Sequence, residues 1–180
     1  VKKALCINSF EDIIQLTKDK EYYIPTRFVD RSICEDPQNK LLQLIPYVAF
    51  YTVDLDEYRI KFIEYNRGNK GNEERLHNSN SIGFGGHIDS IDDLDYTILK
   101  KEDGLTYFKM NYAELVQTAI NAARREVEEE LGFDVFAQLG INPDVDSCYF
   151  FLGNQDIDVN KVHVGLSIPV KVDKETFNKI

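Results

Sequence analysis

The densest periodic pattern in the chain lies between Asn111 and Phe133. There Val116, Ala119, Ile120, Ala123, Val127 and Leu131 recur at spacings of three and four. That spacing lines them up along one stripe of an α-helix. Asn111 followed by Glu114 reads as a capping-box start, and Gly132 stands where a helix closes in the left-handed conformation that costs glycine least. Together these marks predict a helix of about twenty residues, roughly 30 Å long at 1.5 Å per residue.

Elsewhere the pattern is that of strands. Leu41 to Val53 is a long run of strand formers, with Pro46 marking a bend or an edge near its start. Asp54 to Glu57 supply a turn, and Tyr58 to Tyr65 then alternate, with Ile60, Phe62 and Tyr65 opposite Arg59, Lys61 and Glu64, which predicts a hairpin. Phe133 to Leu139, Cys148 to Leu152 and Val162 to Val170 read as further strands, the last alternating through Val164, Leu166 and Ile168. Asp103-Gly104, between two alternating apolar runs, predicts another hairpin. Near the beginning, Ser9 to Lys18 predicts a short helix capped by Ser9 and Asp12, with Ile13, Ile14 and Leu16 buried. Glu21 to Pro25 reads as a short extended piece ended by the proline. Arg27 to Asn39 and Asn66 to Asn80 read as loops. Arg27 and Arg31 are read as surface residues in preference to ligand contacts. The organisation expected is a domain over 41–180, an N-terminal extension over 1–40 packed on it, and an insertion at about 89–110.

Composition narrows the picture. Hydrophobic residues make up 43% and aromatics 12%, enough for a true core. The net charge of −10 argues against nonspecific nucleic-acid binding, which depends on Lys and Arg meeting phosphates. Cys6, Cys34 and Cys148 are widely spaced and odd in number, so reduced thiols in a cytoplasmic protein are expected, with neither a disulfide framework nor structural zinc. His77, His87 and His163 are scattered and form no metal motif. No apolar run approaches the roughly 18 residues of a membrane span, and no signal-peptide pattern opens the chain.

The candidate chemistry sits on the long helix. Glu126 is three and four residues from Glu129 and Glu130, so the three carboxylates share one patch. They repel one another, and they lie near the helix C-terminus, where the macrodipole disfavours negative charge. Arg124 and Arg125 supply part of the compensation, and a hard divalent cation with oxygen ligands could supply the rest. A solvated acidic face is the plainer alternative.

Arg125 to Phe133 reads R-E-V-E-E-E-L-G-F. This resembles the second half of the Nudix box, Gly-x5-Glu-x7-Arg-Glu-U-x-Glu-Glu-x-Gly-U, with U a bulky apolar residue; the last U is here the aromatic Phe133. Gly85-Gly86 supplies the opening glycine. Asp92 follows where the family has Glu, and an insertion then precedes the helix; counted back from Arg125, the family's Glu falls on Gln117. The run S-I-G-F-G-G-H-I-D, the insertion and R-R-E-V-E-E-E-L-G-F are similar to a Nudix branch described as predicted phosphoesterases. The resemblance implies an α/β (α+β) fold, a Nudix-like α/β/α sandwich with a mixed central sheet; the further helix that normally follows the last strand is expected to be short or missing here. It implies a metal-dependent pyrophosphohydrolase that cleaves a diphosphate linkage in a nucleoside diphosphate joined to another group. Mg²⁺ or Mn²⁺ would be held by Glu126, Glu129, Glu130 and the carbonyl of Gly86, with Arg125 fixing the carboxylates. Arg67 and Arg75 would face the phosphates, because guanidinium groups match phosphate oxygens. Gly85 and His87 complete the candidate substrate-binding set, although a hydrogen-bonded structural role is the plainer reading of His87. The general base is left open among the helix carboxylates and Asp144, Asp146, Asp156 and Asp158.

The partner expected is a small phosphorylated, nucleotide-like molecule, with no membrane. The insertion is open as an arm over the site, a homodimer contact or a decoration. Two other functions stand beside the hydrolase: a catalytically inactive Nudix-fold module that binds a ligand, and an interaction protein whose working surface is the insertion.

Overall fold

The computed structural model describes residues 2–66, 80–89, 99–102 and 105–180. In chain order the elements are β1 (Lys3–Ile7), α1 (Phe10–Lys18), β2 (Ile24–Asp30), α2 (Arg31–Cys34), β3 (Leu42–Asp54), β4 (Arg59–Phe62), β5 (Tyr65–Asn66), β6 (Asn80–Ser81) and β7 (Phe84–Gly85). They continue with β8 (Leu99–Glu102), β9 (Leu105–Met110), α3 (Tyr112–Leu131), α4 (Val135–Leu139), β10 (Tyr149–Phe151), β11 (His163–Lys171) and α5 (Lys174–Phe177). Among the described residues, nine strands form one mixed sheet in the order β10-β11-β3-β1-β2-β9-β8, with β4 and β7 also paired to β3. The β3–β11 pair is parallel, and the other pairs in the sheet are antiparallel.

Helix α3 is the element that the sequence marks most clearly. Asn111 Oδ1 accepts from the Glu114 N–H at 3.0 Å, and Gly132 closes the helix at φ 82°. Val116, Ala119, Ile120, Ala123 and Val127 are buried, Leu131 is half-buried, and Leu115, Thr118 and Ala122 widen the stripe. This face packs on the sheet together with Leu5, Ile7, Leu44, Phe50, Leu166 and Ile168, and with Ile13 and Leu16 of α1. Each such fully buried aliphatic side chain contributes about 1.5–3 kcal/mol. The opposite face of the sheet carries a smaller cluster, where Cys34 of α2 and Leu41 cover Ala4 and Cys6. Helices on both faces of a mixed sheet make the expected α/β/α sandwich. All three cysteines are buried and free.

Several local expectations are corrected. Phe133 to Leu139 is not a strand: Asp134 Oδ1 accepts from the Ala137 N–H at 3.1 Å, and Gly140, at φ 64°, ends the short helix α4. A short apolar run carries too little periodicity to separate the two, so the flanking caps decide. Pro25 does not end an extended piece but lies near the start of β2, which runs on through Arg27 to Asp30, so most of the expected polar loop is strand and helix. Pro46 marks no edge. It lies inside the central strand β3, where the antiparallel neighbour changes from β1 at Gln43 to β7 at Tyr47, a place where a missing N–H interrupts little. Ser9 makes no side-chain cap on α1, and Ile14 is only half-buried.

The β3–β4 hairpin forms as predicted. Asp54 accepts from the N–H groups of Asp56 and Glu57 and meets Lys61 at 2.9 Å. Ile60 and Phe62 are nevertheless 56% and 43% exposed, so the apolar side of this hairpin faces a groove and not the core. In the insertion, β8 and β9 pair as a hairpin and β9 extends the main sheet alongside β2; the turn at Asp103-Gly104 lies outside the described residues.

Candidate active site

The site is assembled where the last turns of α3 meet the short segment that follows β7. Phe84 anchors that segment in the core, and Ile88, also buried, accepts a hydrogen bond from the Leu5 N–H at 3.1 Å. The stretch from Phe84 to Ile88 is therefore wedged between β3 and β1. Its two central glycines have different reasons to be glycine. A Cβ on Gly85 would lie 2.0 Å from the backbone oxygen of Pro46, whereas a Cβ on Gly86 would lie 2.4 Å from Glu126 Cδ and 2.6 Å from both carboxylate oxygens. Gly85 permits the approach of two strands, and Gly86 the approach of a carboxylate.

Arg125 organises the surroundings of that carboxylate. Its Nη1 donates to Glu126 Oε1 at 2.9 Å and to Glu129 Oε1 at 3.2 Å, and its Nη2 donates to the carbonyl of His87 at 3.0 Å. One guanidinium thus ties two helix carboxylates to the glycine segment, a use of the planar fork that Lys cannot reproduce. Burial pushes the Glu126 carboxyl above its ordinary range; Arg125 opposes the rise, while Glu129 and Glu130 add to it. Glu130 is exposed, and Glu129 is 61% exposed at its side chain. Arg124 turns away, meeting Asp134 at 3.4 Å and lying over the ring of Phe136. Among the described residues no three His, Cys, Asp or Glu side chains are gathered at one point.

His87 lies on the other side of the glycine segment. Its ring meets that of His163 edge to face, with centroids 5.8 Å apart. Burial pulls its pKa down to about 3, with Arg31, His163, Lys2 and Arg125 adding in the same direction, so the imidazole is neutral at ordinary pH. Its Nε2 is buried without a hydrogen-bond partner among the described residues.

Ser81 to Gly83, just before β7, form the rim of a groove of about 800 Å³ on the sheet face opposite α3. Tyr47, Tyr51, Phe62, Ile82, Tyr149 and Phe151 supply most of its walls, and among the described residues no charged one lines it.

The structure thus places Arg125, Glu126, Glu129, Gly86 and His87 around one short segment, with Glu130 on the neighbouring helix surface and Gly85 against β3. Arg67, Arg75 and Asp92 lie outside the described residues. Gln117, the alternative box position, hydrogen-bonds Asn121 at 3.1 Å. Asp144 caps a 3-10 turn over Val145–Ser147, Asp146 meets Lys20 at 3.7 Å, and Asp158 pairs with Lys161 at 3.2 Å. Gln43 was not singled out from the sequence, yet it is fully buried beside His163. Its signal is a lone amide inside the apolar run L-L-Q-L-I-P-Y-V-A-F.

No family model matches the chain. Protein YmaB of Bacillus subtilis (strain 168) is 31% identical over 135 residues, which cover 73% of this chain and 49% of YmaB. The chain therefore spans about half the length of that curated relative. Among solved structures, the crystal structure of "Tm1382, a putative Nudix hydrolase" matches with a TM-score of 0.51 at 18% identity, covering 94% of this chain and 76% of that one. At that identity the likeness shows the fold, a Nudix-like α/β/α sandwich. No helix among the described residues is long and apolar enough to cross a membrane.

Proposed function

We propose that this chain is a metal-dependent hydrolase of the Nudix kind, cleaving a phosphoric anhydride in a nucleoside diphosphate joined to another group. The observation that carries the reading is the packing of the Gly86 backbone against the Glu126 carboxylate, with Glu129 and Glu130 on the next turn of the same helix. A half-buried carboxylate beside two others is costly for a merely structural helix end, and a cation relieves that cost.

The donor set fits a hard divalent cation in kind: three carboxylates and a backbone carbonyl, all oxygen. Glu126, Glu129, Glu130 and the Gly86 carbonyl would hold it. When bound, Mg²⁺ or Mn²⁺ neutralises diphosphate charge and lowers the pKa of an attacking water. The other tasks fall to the chain. Arg125 holds Glu126 and Glu129 in register with the glycine segment, and Gly86 lets that segment close on Glu126. The aromatic groove beginning at Gly83 would take the uncharged part of the substrate, where a flat ring can stack. Arg67, Arg75 and His87 would serve as phosphate contacts.

The test is release of phosphate or nucleotide from a mixed panel with Mg²⁺ and Mn²⁺, comparing the wild type with Glu129→Gln and Glu130→Gln. The panel holds nucleoside triphosphates, nucleotide sugars, dinucleoside polyphosphates and dinucleotide cofactors. Expected is turnover that falls by two orders of magnitude or more in the variants, roughly the loss seen when a group stabilising transition-state charge is removed. Full activity in both variants overturns the assignment. A second reading, a ligand-binding module without turnover, draws on the pairing of Glu126 and Glu129 with Arg125, which satisfies both carboxylates without an ion. Nucleotide binding without turnover on any panel member would favour it.

A further inference from the structure

Strand register builds a row of polar side chains that no local pattern reveals. Cys6 of β1 pairs with Arg27 of β2 on one side and with Gln43 of β3 on the other, and Gln43 pairs with His163 of β11. Directly paired residues project from the same face of a sheet. Arg27, Cys6, Gln43 and His163 therefore stand side by side across four neighbouring strands, on the face turned away from α3. His87 approaches the same place, its ring against that of His163.

Gln43 is buried, and half-buried His87 has a buried ring nitrogen. Gln43 is 0% exposed, and among the described residues neither its Oε1 nor its Nε2 has a hydrogen-bond partner; the same holds for the buried Nε2 of His87. Buried polar groups in native proteins are nearly always hydrogen-bonded, because an unmade bond carries the full desolvation cost. The Gln43 amide and the His87 imidazole, both next to His163, call for a partner with several polar atoms.

The charges around the spot give that partner a sign. Arg31, Lys2 and Arg125 are cations that act on His87, in a chain whose net charge is −10. Arg27 adds a guanidinium at the end of the row and acts on Cys6. The half-exposed carboxylate of Glu35 meets Arg31 Nε at 3.3 Å, which helps to set the position of that guanidinium. Such surroundings repel a cation. Amide N–H, imidazole N–H and guanidinium N–H are donor types that recognise phosphate oxygens.

We propose that Gln43, His87 and His163, walled by Arg27 and Arg31, form an oxyanion subsite for a phosphoryl group. It lies one residue along the chain from Gly86, and Arg125 bridges the two places by holding Glu126 with one nitrogen and the His87 carbonyl with the other. The oxyanion is either a phosphoryl group of the substrate, which rests on the hydrolase reading above, or free phosphate, which does not.

The test is titration of the protein with inorganic phosphate and inorganic pyrophosphate by calorimetry, with divalent metal removed by chelation. The wild type is compared with Gln43→Leu and Arg31→Gln, while the ¹⁵N resonances of His87 are followed. Expected is saturable binding that weakens at least tenfold in each variant, together with a shift of the His87 Nε2 resonance. Should Gln43→Leu fail to fold, Arg31→Gln, a change at a partly exposed side chain, decides alone. If phosphate raises KM for a turned-over substrate without lowering kcat, the subsite holds the substrate's phosphoryl group. If it leaves KM unchanged, the subsite takes free phosphate. No saturable binding, or equal affinity in wild type and variants, overturns the proposal and leaves the row to ordered water. The hydrolase reading fails separately: Glu129→Gln is expected to retain metal-free phosphate binding, and an inactive wild type that still binds phosphate refutes only the hydrolase.

Discussion

Gly86 and Glu126 are packed so closely that a methyl group on the glycine would fall 2.4 Å from the carboxylate carbon. The flexible end of a glutamate can yield to such a group, so Gly86→Ala is expected to fold and to push Glu126 aside. Displacing a reacting group by about 1 Å can cost on the order of a hundredfold in rate. The neighbouring change, Gly85→Ala, meets the backbone oxygen of Pro46 at 2.0 Å, and a central strand cannot yield. Thermal melts and turnover of the two variants should therefore diverge: Gly86→Ala stable and impaired, Gly85→Ala poorly folded. Equal stability in both would refute the distinction.

Arg125 holds two carboxylates and a backbone carbonyl with one planar group. Arg125→Gln should lower stability by about 1.5–3 kcal/mol, the range for hydrogen bonds to charged groups. The loss should shrink when Mg²⁺ is added, because the ion can supply the charge that Arg125 removed. Urea unfolding with and without Mg²⁺ measures both effects. A loss unchanged by Mg²⁺ would separate the arginine from the proposed metal.

The start of α3 depends on one side chain. Asn111 caps the Glu114 N–H at 3.0 Å, and Asn111→Ala should destabilise the protein by about 1 kcal/mol, as loss of an N-cap does. Asn111→Asp, which keeps an acceptor and adds a charge favoured at a helix N-terminus, should retain or exceed wild-type stability. Chemical denaturation of the three proteins gives the comparison.

The β3–β4 hairpin carries a pH-dependent contact. The hydrogen bond from Lys61, with those from the Glu57 and Asp56 N–H groups, holds the Asp54 carboxyl at about 2. An unfolded Asp titrates near 3.9. The contact therefore contributes its full stability above about pH 4, and that contribution is lost as the pH falls through 2. Asp54→Asn should melt below the wild type at pH 7, and the two melting curves should converge as pH approaches 2. A gap that persists at pH 2 would place the cost in the turn's geometry and not in the carboxylate's charge.

The sequence by itself determined the elements whose signals are local. The stripe from Val116 to Val127, the Asn111 cap and the Gly132 stop define α3, and the alternation through Val164, Leu166 and Ile168 defines β11. Both patterns report which face of a segment is buried, and each is complete within one stretch of chain. The glutamates of the candidate site were legible for the same reason, since residues three and four apart on a helix must be neighbours. Tertiary structure decided the rest. Phe133 to Leu139 was too short for its period to speak, and Asp134 and Gly140 turned it into a helix. Pro46 could be read only as a bend or an edge until the change of partner along β3 showed how a central strand admits it. Gly86 meets Glu126, and Arg27, Gln43 and His163 stand in one row, because strands and a helix distant in the chain are brought into register. Which residues face one another across a sheet is set by pairing between segments that share no local pattern, and that pairing exists only in the folded chain.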